Sequence, residues 1–126
     1  MGSSRGQEAG ILVVDDDASS AQALVTLLVD EGYKADMATS GAATAALASR
    51  ACRLLLLDPS LSDDTGLRLL NYAHGLGVPT IVMTSDPEFD PERTRRDGVG
   101  AFLYKPIRFS TLLGLVEAAS GPSLPA

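Results

Sequence analysis

Apolar residues concentrate in short runs separated by stretches of helical periodicity. Gly10-Ile11-Leu12-Val13-Val14, Leu54-Leu55-Leu56-Leu57, Thr80-Ile81-Val82-Met83 and Ala101-Phe102-Leu103-Tyr104 are short, near-continuous and bounded by polar or turn residues. That pattern predicts strands buried on both faces, as in a parallel sheet. Residues 33–38 alternate polar and apolar, as an edge strand does. Between the runs, Ala21, Leu24, Val25 and Leu28 recur at i, i+3, i+4 and i+7, one face of an amphipathic helix. Asp17, Ser19 and Ser20 supply N-cap chemistry for that helix, and Gly32 suits its left-handed C-terminal position. Thr39-Ser40-Gly41 opens an alanine-rich helix over residues 42–51. Leu67, Leu69, Leu70, Ala73 and Leu76 form a third stripe, closed by Gly75 and Gly77. Leu112, Leu113, Leu115, Val116 and Ala119 form the stripe of a last helix within residues 107–120.

The order is strand then helix, five times. Such alternation specifies an α/β domain with a parallel sheet and helices on both faces. Right-handed crossovers then bring the carboxyl ends of all strands to one rim. Polar residues stand at those ends: Asp15 and Asp16 after the first strand, Asp58 after the third, Thr84 and Ser85 after the fourth, Lys105 after the fifth. Taken singly, each has an ordinary explanation, since Asp caps turns and helices and lysines are usually solvated. Jointly they form a constellation. Two carboxylates about 5 Å apart repel by roughly 3 kcal/mol at an effective dielectric of 20, so three such groups call for a cation. Hard oxygen donors select Mg2+ or a similar ion. An ion, a lysine and a hydroxyl together suit a transferring phosphoryl group, and a carboxylate in such a site can be the nucleophile. Asp58, at the end of the most apolar strand, is the candidate.

Composition narrows the reading. With 126 residues, 45% of them hydrophobic, the chain suits one globular domain: residues 10–120, with a tail at 1–9 and a tail or linker start at 121–126. No apolar run approaches the ~20 residues that span a bilayer, so no membrane is expected. The net charge of −6 argues against a nucleic-acid surface. A lone cysteine, Cys52, allows no intrachain disulfide and fits a reducing cytoplasm. Cys52 itself reads as a small buried hydrophobe just before a strand.

Ile11-Leu12-Val13-Val14-Asp15-Asp16-Asp17, Leu55-Leu56-Leu57-Asp58, Leu61 through Gly66-Leu67, Val82-Met83-Thr84-Ser85 and Phe102-Leu103-Tyr104-Lys105-Pro106 together resemble the receiver domain of bacterial two-component response regulators, the CheY-like family. The resemblance covers roughly residues 10–120. It implies a flavodoxin-like (βα)5 doubly wound sheet in the order 2-1-3-4-5. By the family's pattern Asp58 accepts a phosphoryl group from a sensor histidine kinase or phosphotransfer protein. Asp15, Asp16, Asp58 and the main-chain carbonyl of Ser60 match the site for Mg2+ or Mn2+. Lys105 matches the phosphate-binding lysine, and Pro106 the cis proline that usually follows it. Thr84 matches the hydroxyl that moves toward the phosphoryl group, with Ser85 beside it. Phe102 matches the aromatic that turns inward when Thr84 moves, although plain strand packing explains an aromatic there equally well. The resemblance also implies an output domain or a homodimer through the face of the fourth helix, fifth strand and last helix.

The chain departs from that pattern in three places. Pro59 has no N–H to offer the phosphoryl oxygens, so the site is expected to be one donor poorer. Ser62 stands where many members have proline, which loosens the loop after Asp58. Asp90-Pro91-Glu92-Arg93-Thr94-Arg95-Arg96-Asp97 has no apolar stripe, so a short or weakly docked fourth helix is expected; strong hydrogen-exchange protection there would count against it. The leading function is a signalling switch that catalyses its own phosphotransfer and dephosphorylation rather than a turnover enzyme. A degenerate receiver acting only as a protein-interaction module is the alternative. A phosphatase with a nucleophilic Asp is a third class, but Ser60 stands where its second acid belongs.

Overall fold

A computed structural model of the chain describes residues 10–38, 52–58, 65–86 and 99–120. Five strands, β1 (Gly10–Val14), β2 (Ala35–Ala38), β3 (Cys52–Leu57), β4 (Thr80–Thr84) and β5 (Val99–Tyr104), are joined by three described helices, α1 (Ala18–Asp30), α2 (Thr65–Gly75) and α3 (Phe109–Ser120). The sheet order is β2-β1-β3-β4-β5, with every neighbouring pair parallel. This is the flavodoxin-like order expected from the sequence. The second and fourth helices expected there, over residues 42–51 and 90–97, fall outside the described residues, as do Pro59, Ser60 and Ser62.

The strands are apolar at consecutive positions because both faces are covered. Side chains alternate along a strand, and each alternate set meets a different layer. Leu12, Val14, Leu55, Leu57 and Val82 join Leu69, Leu70 and Ala73 of α2 in one core cluster. Ile11, Val13, Leu54, Leu56, Ile81 and Met83 join Ala21 and Leu28 of α1 and Leu112 and Val116 of α3 in the other. Leu54 to Leu57 are all fully buried. β2, at the edge, holds half-buried residues and one exposed, Asp36.

Two helices end in the same way, and each ending directs the chain back into the sheet. At α1, Gly32 has φ +97°, its N–H donates to Val29 O, and Tyr33 N–H donates to Leu28 O. At α2, Gly77 has φ +76°, with Gly77 N–H to His74 O and Val78 N–H to Ala73 O. Both are Schellman closures, which need a left-handed residue followed by an apolar one returning to the core. Tyr33 is buried and Val78 packs against the α2 side of the core.

Several sequence expectations shift. Gly75 lies inside α2 and Gly77 alone closes it. Leu67 and Leu76, placed on the buried stripe of that helix, are 38% and 48% exposed; three residues per two turns suffice to cover this part of the sheet. Ala119, likewise, is exposed on α3. Cys52 is the first residue of β3 rather than a residue before it. It is half-buried, its Sγ–H points at Leu54 O at 3.3 Å, and burial pushes its thiol pKa up, away from reactivity.

Leu54 to Leu57 of β3 are fully buried, so this strand is sensitive to lost volume. Leu56→Ala is expected to cost about 2–5 kcal/mol, read as a lower urea midpoint at unchanged slope. Leu27→Ala, on the 41% exposed outer face of α1, should cost well under half of that.

Candidate functional site

Strand alternation continues past the strand ends and selects which side chains meet. Asp15 stands two residues after Val13, Asp58 two after Leu56, and Lys105 two after Leu103; all three predecessors belong to the layer shared with α1 and α3. β1 and β3 are adjacent and in register at Val14 and Leu57, so Asp15 and Asp58 leave the sheet side by side. The ladder runs one bond further, Asp58 N–H donating to Val14 O at 3.0 Å. Lys105 arrives from β5, held by its N–H on Thr84 O at 2.7 Å.

The Lys105 ammonium reaches across and donates to both acids, at 2.8 Å to Asp15 Oδ2 and 2.9 Å to Asp58 Oδ2. The carboxylates are almost fully enclosed, with side chains 2% and 8% exposed, against 26% for Lys105. Two buried negative charges thus share one cation. The second oxygen of Asp15 accepts from Asp17 N–H at 2.9 Å. Asp17 in turn caps α1, its carboxylate accepting from Ser19 and Ser20 N–H and from the Ser20 hydroxyl. These bonds to Ser20, and then to Ser19, hold the Asp17 carboxyl below its usual range. For Lys105, burial alone would depress the pKa. The hydrogen bonds and charges of Asp15 and Asp58 outweigh it and leave the ammonium above its ordinary 10.5.

Asp16 stands exposed at the rim. Thr84 is fully buried at the end of β4, and its Oγ1 accepts from Asp86 N–H at 3.0 Å, which leaves its own proton free to be directed elsewhere. Ser85 is exposed beside it. The Lys105–Pro106 peptide is cis, as the family's pattern implied. Among the described residues, no group of three His, Cys, Asp or Glu side chains stands close enough together to hold an ion. None of the buried side-chain polar atoms described lacks a partner. The rim is therefore an electrostatically closed cluster with a net negative charge, one cation against Asp15 and Asp58 and a further acid nearby.

Comparison with known proteins agrees with this geometry. The family model for the response regulator receiver domain matches residues 11–117. The chain belongs to that family. As a receiver domain it falls within phosphorelay signalling. It is similar to the transcriptional regulatory protein PmrA of Pectobacterium parmentieri, 34% identical over 86% of this chain and 50% of that protein. It is also similar to the DNA-binding response regulator MtrA of Mycobacterium tuberculosis, 35% identical over 86% and 49%. The chain spans about half the length of these curated relatives. Among solved structures, a CheY-like receiver domain from Methanospirillum hungatei superposes with a TM-score of 0.80 at 30% identity, covering 87% of this chain and 91% of that one. A receiver protein from Burkholderia phymatum gives 0.81 at 27%, covering 94% and 100%.

Of the residues singled out in the sequence, the receiver fold joins Asp15, Asp58 and Lys105 directly and sets Thr84 at the adjacent strand end. Two features escaped the sequence reading. Asp17 supports Asp15 as well as capping α1; the two-residue step between them, an Asx-turn spacing, was the available signal. Tyr104 and Phe102 form a T-shaped ring pair, which their shared strand parity could have indicated. Among the described residues, no helix is long and apolar enough to cross a membrane.

The shared cation makes a testable statement about stability. Lys105→Met leaves two enclosed carboxylates without their neutralising partner; because the ammonium is partly solvated, the cost at pH 7 is expected to be about 1–2 kcal/mol. A pKa raised by folding stabilises fully below the unfolded value and loses that contribution as pH rises through the folded one. The gap between parent and Lys105→Met should therefore stay constant through neutral pH and, on the alkaline side, close above the ordinary 10.5, as urea unfolding at a series of pH values would reveal.

Proposed function

We propose that the chain is a phosphorylatable receiver in which Asp58 is the acceptor. The observation that carries this reading is the bridge of Lys105 to both Asp15 and Asp58, which supplies a positive charge beside a carboxylate at a strand's carboxyl end. In the reaction, an Asp58 oxygen attacks the phosphorus of a phosphohistidine on a sensor kinase or phosphotransfer protein. The new O–P bond forms as the N–P bond breaks, and the electron pair returns to the imidazole of the donor. Lys105, an ammonium at neutral pH, balances the charge on the equatorial oxygens. The Thr84 hydroxyl, with Ser85 beside it, donates to one of those oxygens. Water later attacks the same phosphorus and returns the Asp58 carboxylate and inorganic phosphate. The chain thereby catalyses its own modification and its reversal.

The donor set fits a hard divalent cation: Asp15, Asp16 and Asp58 are all oxygen ligands, their charge exceeds that of Lys105, and two of them are already adjacent. Mg2+ or Mn2+ would be held by Asp15 and Asp58 with the main-chain carbonyl of Ser60, and by Asp16, exposed at the rim, through water. Bound there, the ion supplies charge neutralisation at the phosphoryl oxygens. The receiver would comprise residues 10–120, with 1–9 and 121–126 as a tail and a tail or linker start. Its cytoplasmic setting and partners follow from the same reading: a kinase or phosphotransfer protein upstream, and downstream an output domain or second receiver on the face that includes β5 and α3. The curated relatives, a transcriptional regulator and a DNA-binding regulator, favour an output domain that acts on transcription.

Incubation with Mg2+ and a small acyl phosphate, followed by intact-mass measurement, tests the proposal. One added phosphate is expected in the parent and none in Asp58→Ala or after chelation of the metal. No addition under any condition would favour the interaction-module alternative, which the missing N–H of Pro59 keeps open. Restoring that donor in Pro59→Leu should lengthen the acyl-phosphate lifetime and tighten phosphate-analogue binding; a hydrogen bond to a charged oxygen, worth roughly 1.5–3 kcal/mol, corresponds to roughly 10- to 150-fold. Equal lifetimes and affinities would remove the proposed role of Pro59.

A further inference from the structure

Phe102 and Tyr104 are two residues apart on β5, so their side chains share one face of the sheet. That face is the α2 side, since Phe102 packs against the cluster of Leu12, Val14, Val82 and Leu70. Register pairs Val82 with Phe102 and Thr84 with Tyr104, and registered residues of a parallel pair project the same way. Thr84, Tyr104 and Phe102 therefore form one corner of the sheet, at the rim that carries Lys105. The two rings meet edge to face, with centroids 5.5 Å apart and planes at 86°, a favoured aromatic geometry. Their burial differs. Phe102 is half-buried, while Tyr104 is 47% exposed and contributes little to the core.

We propose that Tyr104 is a positioning residue for the switch, holding the Phe102 ring in its resting rotamer by this edge-to-face contact. The inference rests on the reading of Phe102 as the aromatic that turns inward with Thr84. An inward turn takes the Phe102 ring away from the Tyr104 ring, so the contact favours the resting state. Its location beside Thr84 places it next to the hydroxyl whose movement makes room for the ring. Tyr104 acts through Phe102 and sets how far the unphosphorylated protein samples the switched state.

Fluorine NMR on the full chain, labelled with 4-fluorophenylalanine, reads the Phe102 position directly. Its resonance, one of three, is identified by its loss in Phe102→Leu. Mg2+ with beryllium fluoride, a phosphoryl mimic, defines the switched position in the parent. Without these additions, Tyr104→Leu and Tyr104→Ala should shift the Phe102 population toward the switched position by about two- to tenfold. Tyr104→Phe, which keeps the ring, should restore the parent population. Tyr104→Leu keeps apolar bulk, so a shift at a Tm equal to that of Tyr104→Phe separates positioning from loss of fold. An unshifted Phe102 resonance in Tyr104→Leu, with beryllium fluoride still moving it in the parent, overturns the inference and leaves the switch reading standing. A parent Phe102 resonance that ignores beryllium fluoride overturns that reading of Phe102, and the role of Tyr104 with it.

Discussion

Burying a parallel sheet on both faces imposes a constraint from which most of this structure follows. Every residue of β3 from Leu54 to Leu57 must be apolar, because odd and even positions face different helical layers, and neither layer is solvent. The first residue released from that requirement is Asp58. The same holds for Asp15 after β1 and Lys105 after β5. Two-residue alternation then decides the side on which each emerges, and it sends all three toward the α1 and α3 layer. Carboxylates on neighbouring strands, with little solvent to separate them, are stable together only around a cation. Lys105, the one described here, is 2.8 and 2.9 Å from them.

This arrangement gives the rim a particular balance. A buried pair of acids with a single ammonium is held in place but not neutralised, and the exposed Asp16 adds to the deficit. Such a cluster favours ligands that bring positive charge. The neighbouring strand end is organised differently. Thr84 is uncharged, fully buried, and engaged with the backbone of Asp86. β5 links the two, since it carries Lys105 at its end and the Phe102–Tyr104 pair within it.

Helix endings contribute to the same result from the other pole of the sheet. The Schellman closures at Gly32 and Gly77 turn the chain by backbone hydrogen bonds alone and deliver Tyr33 and Val78 into the core. Each sets the starting point of a following strand, and therefore the register that brings its far end to the rim. Substituting a side chain at either glycine would strain a left-handed residue far from the site while disturbing its alignment.

Already legible in the sequence were the five strands, the three described helices, the parallel sheet and the identity of the polar groups at the strand ends. These follow from local patterns: continuous apolar runs, helical stripes, caps and glycines, each readable within a dozen residues. Residue-by-residue burial was less legible, and Leu67, Leu76 and Ala119 look core-facing yet stand exposed, because the width of a buried helix stripe depends on how much sheet lies beneath it. Contact across the chain was set by folding alone. Lys105 meets Asp58 from 47 positions away and Asp15 from 90, and no local pattern encodes those distances. Strand adjacency and register do, and both arise when the sheet assembles around its two cores.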